Sequence, residues 1–472
     1  MNFITRRKPL DASPQAQDIT TNHLRRTLSW PHLVALGVGA IVGTGIYTLI
    51  GVGAGMAGPG VLLSFAIAGA VCAFAALCYA EMATMMPEAG SAYTYAYHGV
   101  GEGFAWVVGW SLILEYTVVA AAVSAGWSGQ VSSLIVQGGW PIPHALLAAP
   151  GAGGIVNLPS IVIAGAVTAM LLAGTRESAT VNAVLVGVKL VALAGFIALT
   201  LPAFQGAHFH PFMPLGFGAV EGPDGTKHGV MAAAAIIFFA FYGFDAISTA
   251  AEETRNPARD LTIGIIGSML VCTAIYMLVA AAAIGATPYD VFAKDSAPLA
   301  FVLKTLNHPL AAALIAGAAV VALPTVIMVF MFGQTRIFFA MARDGLIPRE
   351  LAAIGPRGVP VPVTLLTGTV AALIAGLLPL SQIAELANAG TLLAFVATAL
   401  CMLVLRRTAP DRPRAFRCPA PWLVGPLAIL GCVYLFSSLS RHTMIWFVGW
   451  NLVGVVAYLV YGRTASRLAK SA

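Results

Sequence analysis

Residues 33–50 read LVALGVGAIVGTGIYTLI, an apolar stretch that is long enough to cross a bilayer but is interrupted at Gly43-Thr44-Gly45. Glycine inside a helix costs about 1 kcal/mol relative to alanine, so these glycines are a poor choice for a plain membrane anchor. Backbone that leaves the helix at bilayer depth is tolerated where it is buried in protein or lines a water-filled cavity. The stretch therefore predicts a discontinuous helix at a ligand site, and a second such stretch, FFAFYGFDAIST, follows at 238–249.

The composition indicates a membrane protein that crosses the bilayer many times. Of the 472 residues, 59% are hydrophobic and 9% are charged, whereas about 25% of the residues of a typical soluble domain are charged. The apolar runs leave no room for a soluble domain, and the net charge of +6 is not gathered into a compact basic region for nucleic acid. The six cysteines form no CxxC pair, so we interpret them as small packing residues.

About twelve apolar stretches meet the requirement of roughly twenty residues for a transmembrane helix. They are 31–51, 59–85, 101–127, 157–174, 179–202, 229–251, 262–286, 309–340, 362–379, 383–406, 420–438 and 442–462. With the N-terminus inside the cell, alternation assigns 20 of the 25 Lys and Arg residues to the cytoplasmic side and 4 to the outside. This asymmetry fits the positive-inside rule and predicts a multi-pass protein of the cytoplasmic membrane with both termini in the cytoplasm.

The two interrupted spans are the first and the sixth, which divides the first ten spans into two sets of five. Because five is odd, the second set is inverted relative to the first, and matched interruptions in two halves indicate a transporter site at their interface. We predict a cytoplasmic tail at 1–30 without a cleavable signal peptide, a first repeat at 31–202 and a second repeat at 229–406. Two further spans at 420–462 and a cytoplasmic tail at 463–472 complete the chain.

The first interruption offers both kinds of partner that an α-amino acid needs. A helix that restarts near Gly45 presents free N–H groups and a positive dipole end to a carboxylate, and Thr44 adds a hydroxyl donor. The preceding half-helix ends in free carbonyls, including that of Ile41, which suit an ammonium group. Tight helix packing through Gly39-xxx-Gly43 is the alternative interpretation, and the matching interruption in span 6 favours a site.

In span 6, Gly243 is the predicted breaker, and Asp245 is predicted to cap the restarted half-helix. The backbone around Phe239, Ala240 and Tyr242 would leave carbonyls free, and the aromatic side chains are large enough to close over a ligand. For Phe241 and Phe244, which flank these residues, lipid or core contact is the favoured interpretation.

The single basic residue inside a span is Lys189, about ten residues from either end of span 5. A lysine at that depth costs about 2.5–3.5 kcal/mol on insertion scales, and snorkelling to the interface is the simplest alternative. Burial disfavours the ammonium form, so we predict that Lys189 binds a co-transported proton. Its charge would then occupy the place of a sodium ion in related architectures. A fixed ion pair with Glu115 of span 3 is the structural alternative, and Glu115 is also a candidate substrate contact.

Other polar residues near span ends leave two interpretations open. Glu81 and the pair Glu252–Glu253 would either form a gate with nearby arginines or lie at solvated helix ends. Four residues of spans 8 and 10 are candidates for the pocket wall or for gating, or else are packing residues: Met328, Met331, Asn388 and Thr391. No Walker A, GxSxG or HExxH motif is present and the nine histidines lack metal-ligand spacing, so neither an enzyme nor a metal site is predicted.

Taken together, these segments resemble the amino acid–polyamine–organocation superfamily, and within it the cationic amino acid transporter branch. The resemblance covers almost the whole chain and rests, beside Lys189, on four motifs. They are GVGAIVGTGIY at 37–47, YAEMATMMPEAGSAYTYAY at 79–97, FFAFYGFDAISTAAEETRNPARDL at 238–261 and GQTRIFFAMARDGLIP at 333–348.

The resemblance implies an all-α, LeuT-like fold of five plus five inverted helices with two additional helices, in which spans 1 and 6 are discontinuous. Between these spans it implies a site for the amino acid's carboxylate and amine. The implied substrate contacts are Ile41, Thr44, Gly45, Phe239, Ala240, Tyr242 and Glu115. Lys189 matches the lysine to which this branch assigns proton coupling.

The function that follows is import of L-amino acids by proton symport with alternating access. The expected partners are the amino acid, the proton and the lipid bilayer, without nucleic acid, metal or cofactor, because the proton gradient supplies the driving force. An amino acid or amine exchanger of the same fold is the nearest alternative. A sensor that binds an amino acid without transport is a further one.

Overall fold

The computed structural model describes residues 6–9, 26–43, 45–221, 227–241, 243–293, 295 and 297–470. Thr44 and Tyr242, two of the predicted substrate contacts, lie outside these described residues. The described chain is mostly helical, as expected for a polytopic membrane protein. A two-stranded antiparallel hairpin, β1 (Val220–Glu221) with β2 (Lys227–His228), was not predicted.

The helices of the first half begin at Trp30. They are α1 (Trp30–Ile41), α2 (Ile50–Ala57), α3 (Val61–Met85), α4 (Ala92–Gly99), α5 (Glu102–Gln137), α6 (Leu158–Ala173) and α7 (Thr175–Thr200). A π-helical turn, Gly45–Leu49, leads directly into α2.

The helices of the second half begin after the hairpin. They are α8 (Val230–Ile237), α9 (Ala246–Thr249), α10 (Pro257–Ala286), α11 (Tyr289–Phe292), α12 (Pro298–Thr305), α13 (Pro309–Arg343), α14 (Val361–Leu377), α15 (Leu380–Thr408), α16 (Pro421–Ser437), α17 (Arg441–Ala457), α18 (Arg463–Ala465) and α19 (Arg467–Lys470). A 3-10 turn, Phe238–Ala240, continues α8.

Seven helical runs of the described chain are long and apolar enough to span a membrane. One of them, Trp30–Met85, is 56 residues long and contains the first two predicted spans. Four shorter apolar helices accompany them: Leu158–Ala173, Val230–Ala240, Val361–Leu377 and Pro421–Ser437. The chain is therefore a multi-pass membrane protein.

Helix α5 lies at the centre of the bundle and packs against α13, α15, α6 and α14, while α1 packs against α10, α7 and α13. The middle of α5 is buried without interruption from Tyr116 to Ala125. By contrast, α16 and α17 expose many large apolar side chains, such as Leu430 and Ile445. In a membrane protein such a surface faces lipid, because lipid tails are as apolar as these side chains.

Pro324 lies inside α13, where its missing N–H leaves the carbonyl of Val320 without its helical donor. The indole Nε1 of Trp127 in α5 donates to that carbonyl at 2.6 Å. An unpaired carbonyl in the bilayer interior costs several kcal/mol, so this bond allows the proline to remain in a membrane-spanning helix. It also ties α5 to α13 close to the residues that form the candidate site.

Candidate functional site

The first helix ends at Ile41, where the N–H of Val42 makes the last helical bond to the carbonyl of Val38 at 2.9 Å. Helical structure resumes at Gly45 in the π-helical turn, whose first bonds run from Ile46 and Tyr47 to the carbonyl of Gly43. π-helical turns are frequent at functional sites. Val42 and Gly43 therefore lie at the junction between the end of α1 and the π-helical turn.

Lys189 of α7 is fully buried, and its side chain reaches the end of α1. Its ammonium Nζ donates to the carbonyl of Gly39 at 2.8 Å and to that of Val42 at 2.6 Å. The C-terminal end of a helix carries negative partial charge and free carbonyls, which stabilise a cation. The Nζ of Lys189 therefore lies at the C-terminal end of α1, in contact with two of its carbonyls.

Glu115 does not pair with Lys189 in the described structure. Its Oε1 accepts a hydrogen bond from the hydroxyl of Thr391 in α15 at 2.6 Å, and its Oε2 is buried without a partner among the described residues. The ion-pair interpretation of Lys189 is therefore wrong for this conformation. Thr391 holds the Glu115 carboxylate, which gives Thr391 a role beyond packing.

The second broken helix changes from α8 to the 3-10 turn at Phe238 and restarts at Ala246. Gly243 has φ +120, a backbone conformation that side-chain-bearing residues rarely adopt. The prediction that Asp245 caps α9 is wrong, because its side chain makes no capping bond to the following turn. Instead, Oδ1 accepts from the N–H of Gly243 at 3.0 Å and Oδ2 accepts from the hydroxyl of Tyr116 at 2.6 Å.

The two breaks lie directly against each other. A Cβ on Gly45 would lie 2.3 Å from the Cβ and 2.4 Å from the Cα of Ala240. A Cβ on Gly243 would lie 2.7 Å from the Cβ of Ala40. Both glycines are therefore required by close approach of the backbones, in addition to the conformational reason at Gly243.

A small cavity of about 10 Å³ lies between the breaks, a size that matches about one water molecule. Its lining residues come from the two broken helices, α5 and α13: Ala40, Ile41, Gly43, Gly45, Val119, Val123, Phe239, Val326 and Phe330. Of the predicted contacts, Ile41, Gly45 and Phe239 line this cavity, and Ala240 packs behind Gly45. Glu115 lies one helical turn from Val119 and does not line it. The cavity is too small for an amino acid.

Apart from Ala40, five site residues were missed by the sequence analysis. Four of them are the apolar wall, Val119 and Val123 of α5 with Val326 and Phe330 of α13. The fifth is Tyr276 of α10, whose hydroxyl donates to the carbonyl of Ile41 at 2.5 Å. The sequence contained a signal for Val119 and Val123. They follow Glu115 at intervals of four residues, which places all three on one face of a helix.

The glutamates predicted to lie near a gate form ion pairs at the end of the bundle where residues 6–9 and α19 lie. Glu252 and Glu253 follow the second broken helix, and each pairs with an arginine of α13. Arg343 contacts Glu252 at 2.8 Å, and Arg336 contacts Glu253 at 2.9 Å. The solvated-helix-end interpretation is wrong for Glu253, which is buried with its arginine.

Glu81 of α3 binds two arginines that belong to the end of α15 and the segment after it. Arg406 contacts Glu81 at 2.6 Å, and Arg414 contacts it at 3.0 Å. The N–H of Cys418 also donates to the Glu81 carboxylate at 2.7 Å. Glu81 is therefore buried and fully engaged, and the solvated-helix-end interpretation is wrong here too.

The N-terminal segment (residues 6–9) lies across the same end. The ammonium of Lys8 contacts Glu88 at 2.7 Å and Asp344 at 3.4 Å, and so joins the loop after α3 to the end of α13. Burial alone would raise the pKa of Glu88, but the hydrogen bond from His98 and the charge of Lys8 outweigh it and lower that pKa to about 2. Burial alone would lower the pKa of Lys8, but the charges of Asp344 and Glu88 outweigh this effect and raise the pKa of Lys8.

Comparison with known proteins finds relatives over nearly the whole chain. The family model described as amino acid permease matches residues 28–460. A branched-chain amino acid permease of Bacillus subtilis (strain 168) is 45% identical over 450 residues, which cover 94% of this chain and 95% of that protein. A methylthioribose transporter of the same strain is 38% identical and aligns over 100% of both chains. The vacuolar cationic amino acid transporter 4 of Arabidopsis thaliana is 36% identical over 87% of this chain and 68% of that protein.

These matches confirm the predicted superfamily. Its members found here are named as permeases and transporters, which agrees with the lack of a recognisable enzyme motif. The matched region begins just before α1 and ends after α17, so it includes both broken helices and the cavity between them. The chain belongs to the amino acid permease family of the amino acid–polyamine–organocation superfamily.

Proposed function

We propose that this protein imports L-amino acids across the cytoplasmic membrane by proton symport. The observation that carries the proposal is the position of Lys189, whose ammonium binds two carbonyls at the end of the first half-helix. Loss of its proton would remove the charge that holds those carbonyls and free the backbone of the first break to move. Protonation of one side chain would thereby be linked to the geometry of the substrate site.

The proposed substrate site uses the backbone on both sides of the breaks. The N–H groups at the start of the turn at Gly45, together with the hydroxyl of Thr44, would bind the α-carboxylate. The carbonyls of Ile41 and of the segment Phe239, Ala240 and Tyr242 would bind the α-amine. Although Tyr276 donates to the Ile41 carbonyl, a carbonyl oxygen has two lone pairs and can accept a second hydrogen bond.

Glu115 is proposed as a polar contact beside this site rather than as the partner of Lys189. It lies one turn from the cavity wall, and its Oε2 lacks a partner among the described residues. A buried carboxylate oxygen without a donor is costly, so a substrate or water in an open state would satisfy it. No cofactor is needed in this proposal.

We propose twelve spans in a LeuT-like arrangement, with inverted repeats at 31–202 and 229–406, spans 11 and 12 at 420–462, and cytoplasmic tails at 1–30 and 463–472. The two broken helices then occupy corresponding places in the two repeats, and rocking of one bundle against the other would give alternating access. The distribution of Lys and Arg supports a cytoplasmic location of both termini.

Uptake into proteoliposomes that contain the purified full-length protein tests the symport proposal. A proton gradient directed inward is expected to raise initial uptake of a labelled amino acid at least fivefold, and Lys189→Ala is expected to abolish that response. Lys304→Ala is the matched control, because Lys304 is exposed on α12. Uptake that ignores the gradient, or Lys189→Ala vesicles that still respond to it, would contradict the proposal.

The same vesicles distinguish symport from exchange. A symporter fills empty vesicles when the gradient is applied, whereas an exchanger requires an amino acid or amine inside before it moves one from outside. Uptake seen only in preloaded vesicles would replace the symport proposal with exchange. Binding without flux in either arrangement would indicate a sensor.

The relatives suggest a substrate class. One relative is named as a branched-chain amino acid permease and aligns along nearly its full length, so we propose a neutral aliphatic amino acid for this chain. The relative named as a methylthioribose transporter makes methylthioribose the first compound to test outside the amino acids.

A further inference from the structure

The segment that joins α15 to α16 is strongly basic. Between residues 406 and 417 it contains five arginines and a single carboxylate, that of Asp411. Two of the arginines are the ones that bind Glu81 of α3. The remaining three are Arg407, Arg412 and Arg417. The segment therefore keeps an excess of cations after the ion pairs with Glu81 have formed.

Arg414 holds this segment in a fixed shape. Its side chain is only 2% exposed, and it contacts Glu81 at 3.0 Å. Its guanidinium also donates to four backbone carbonyls at 2.9 to 3.1 Å, those of Leu405, Ala409, Pro410 and Arg412. At the far end of the segment, the N–H of Cys418 donates to the same Glu81 carboxylate. Because the backbone is already ordered, a ligand that binds here has little ordering cost to overcome.

Two exposed arginines of the segment lie next to the start of α16. Arg407 and Arg417 have no carboxylate partner among the described residues. The guanidinium of Arg407 lies over the indole of Trp422, 4.9 Å from the ring centre. Arg417 comes four residues before α16 begins. Two cations that lack a carboxylate partner are thus available to an anion at this point of the surface.

An apolar surface begins at the same place. Trp422 is 52% exposed, and tryptophan is enriched where a membrane meets water. Beyond it, exposed leucines recur on one face of α16 at a spacing of four and three residues: Leu423, Leu427 and Leu430. The arginines therefore lie at the end of a surface that suits acyl chains. A free phosphate would contact the arginines alone, whereas a phospholipid would contact the leucines as well.

We propose that the start of α16 is a binding site for an anionic phospholipid. The phosphate pairs with the guanidinium groups of Arg407 and Arg417, and the acyl chains lie along the exposed leucines of α16. A basic residue close to an anionic bilayer surface is worth about fivefold in affinity. Two such residues should therefore favour an anionic lipid over a zwitterionic one more than tenfold. The inference does not depend on the proposed amino acid transport.

Thermal unfolding of the purified full-length protein in detergent tests this site, because a ligand of the folded state raises the melting temperature. The protein is titrated with dioleoylphosphatidylglycerol, which is anionic, or with dioleoylphosphatidylcholine, which has the same chains and no net charge. The anionic lipid should reach half of its maximal stabilisation at a concentration at least tenfold lower. This advantage should shrink as the salt concentration rises, because salt screens exposed charges. Equal titrations, or an advantage that salt does not change, would overturn the proposal.

Variants locate the effect on the surface. Arg407→Gln combined with Arg417→Gln should remove the advantage of the anionic lipid, whereas Arg407→Lys combined with Arg417→Lys should keep most of it. Both side chains are exposed, so the melting temperature without lipid should change little. The matched control is Arg349→Gln combined with Arg357→Gln, which removes two exposed arginines from the segment between α13 and α14. If the control variant loses the advantage as well, the lipid responds to overall charge and the site is wrong.

A soluble phosphate ester separates the lipid from a free anion. Glycerol 1-phosphate contains the same phosphate without acyl chains. It should not raise the melting temperature at concentrations at which dioleoylphosphatidylglycerol saturates, because it leaves the leucines of α16 without a partner. If it stabilises the protein as well as the lipid does, the arginines form a site for soluble anions and the proposed lipid site is overturned.

Discussion

Gly45 meets the second broken helix at a point where a side chain has no room. The position of a Cβ overlaps both the Cβ and the backbone Cα of Ala240, and backbone atoms cannot rotate away as a flexible side chain can. A methyl group here must push the two breaks apart. Because the proposed carboxylate site lies on this turn, the methyl group should lower amino acid uptake as well as stability.

We therefore expect Gly45→Ala to lower amino acid uptake more than tenfold and to lower the melting temperature of the purified protein. Gly187→Ala on α7 is the matched control, because no atom lies within 4 Å of its Cβ position. Alanine is the better helix former by about 1 kcal/mol, so the control should be at least as stable as the wild type. Equal uptake by the two variants would show that the close approach has no functional role.

Single site residues could be predicted from the sequence where a residue of that type costs free energy inside a membrane-spanning helix. Lys189 was identified because a charge in mid-membrane is rare, and the glycines because they weaken a helix. Val326 was missed because valine carries no such cost in a membrane, and Val321, five residues earlier, faces outward instead. Only tertiary packing distinguishes the two valines.

Helix α13 is held to the end of the second broken helix by a buried ion pair. Arg336 and Glu253 are 2% and 3% exposed and 2.9 Å apart, and the guanidinium also lies 3.7 Å from the ring centre of Phe332. Removing one partner of a buried pair leaves an uncompensated charge and costs about 3–5 kcal/mol, whereas replacing both by neutral groups is often tolerated. The pair thus lends itself to a double-mutant cycle.

We expect Arg336→Met and Glu253→Gln each to lower the melting temperature strongly, and the double variant to be more stable than either single variant. Thermal unfolding of the four purified proteins measures the coupling. If the double variant lowers the melting temperature by the sum of the two single decreases, the two side chains contribute to stability independently.

At the scale of elements, the apolar runs predicted where helices lie but not how they break. Gly43 and Gly45 indicated an interruption, but no local pattern encodes the π-helical form of the restart or its close contact with Ala240. Asp245 was misassigned for a similar reason. Its sequence position suits a helix cap, but Tyr116 from another helix provides a competing donor.

The N-terminal segment (residues 6–9) joins the loop after α3 to the end of α13. Its ion pairs predict that the stability of the protein depends on pH. The pKa of Glu88 falls from an ordinary value of 4.5 to about 2, so its contribution to stability is complete above 4.5 and is lost as pH falls towards 2. The pKa of Lys8 is raised above 10.5, so its contribution is complete below 10.5 and is lost at higher pH.

We therefore expect Lys8→Ala to lower the melting temperature by a constant amount between about pH 5 and pH 10, and by a shrinking amount below about pH 4.5. Thermal unfolding at several pH values measures this difference against the wild type. Lys304→Ala, which removes an exposed lysine, should not lower the melting temperature in this way. His98, Arg343 and Asp344 also face this cluster. A difference that did not shrink below about pH 4.5 would contradict the role of the Glu88 carboxylate.

The small size of the cavity between the breaks also bears on any affinity that will be measured. A protein that binds its ligand only in a minor, open population has an apparent dissociation constant equal to the intrinsic constant divided by that population, so an open fraction of one in a hundred weakens binding about a hundredfold. Changes far from the ligand, including lipid composition, alter this fraction without altering any contact. Two preparations of this protein are therefore expected to differ in apparent affinity while agreeing on the rank order of their ligands.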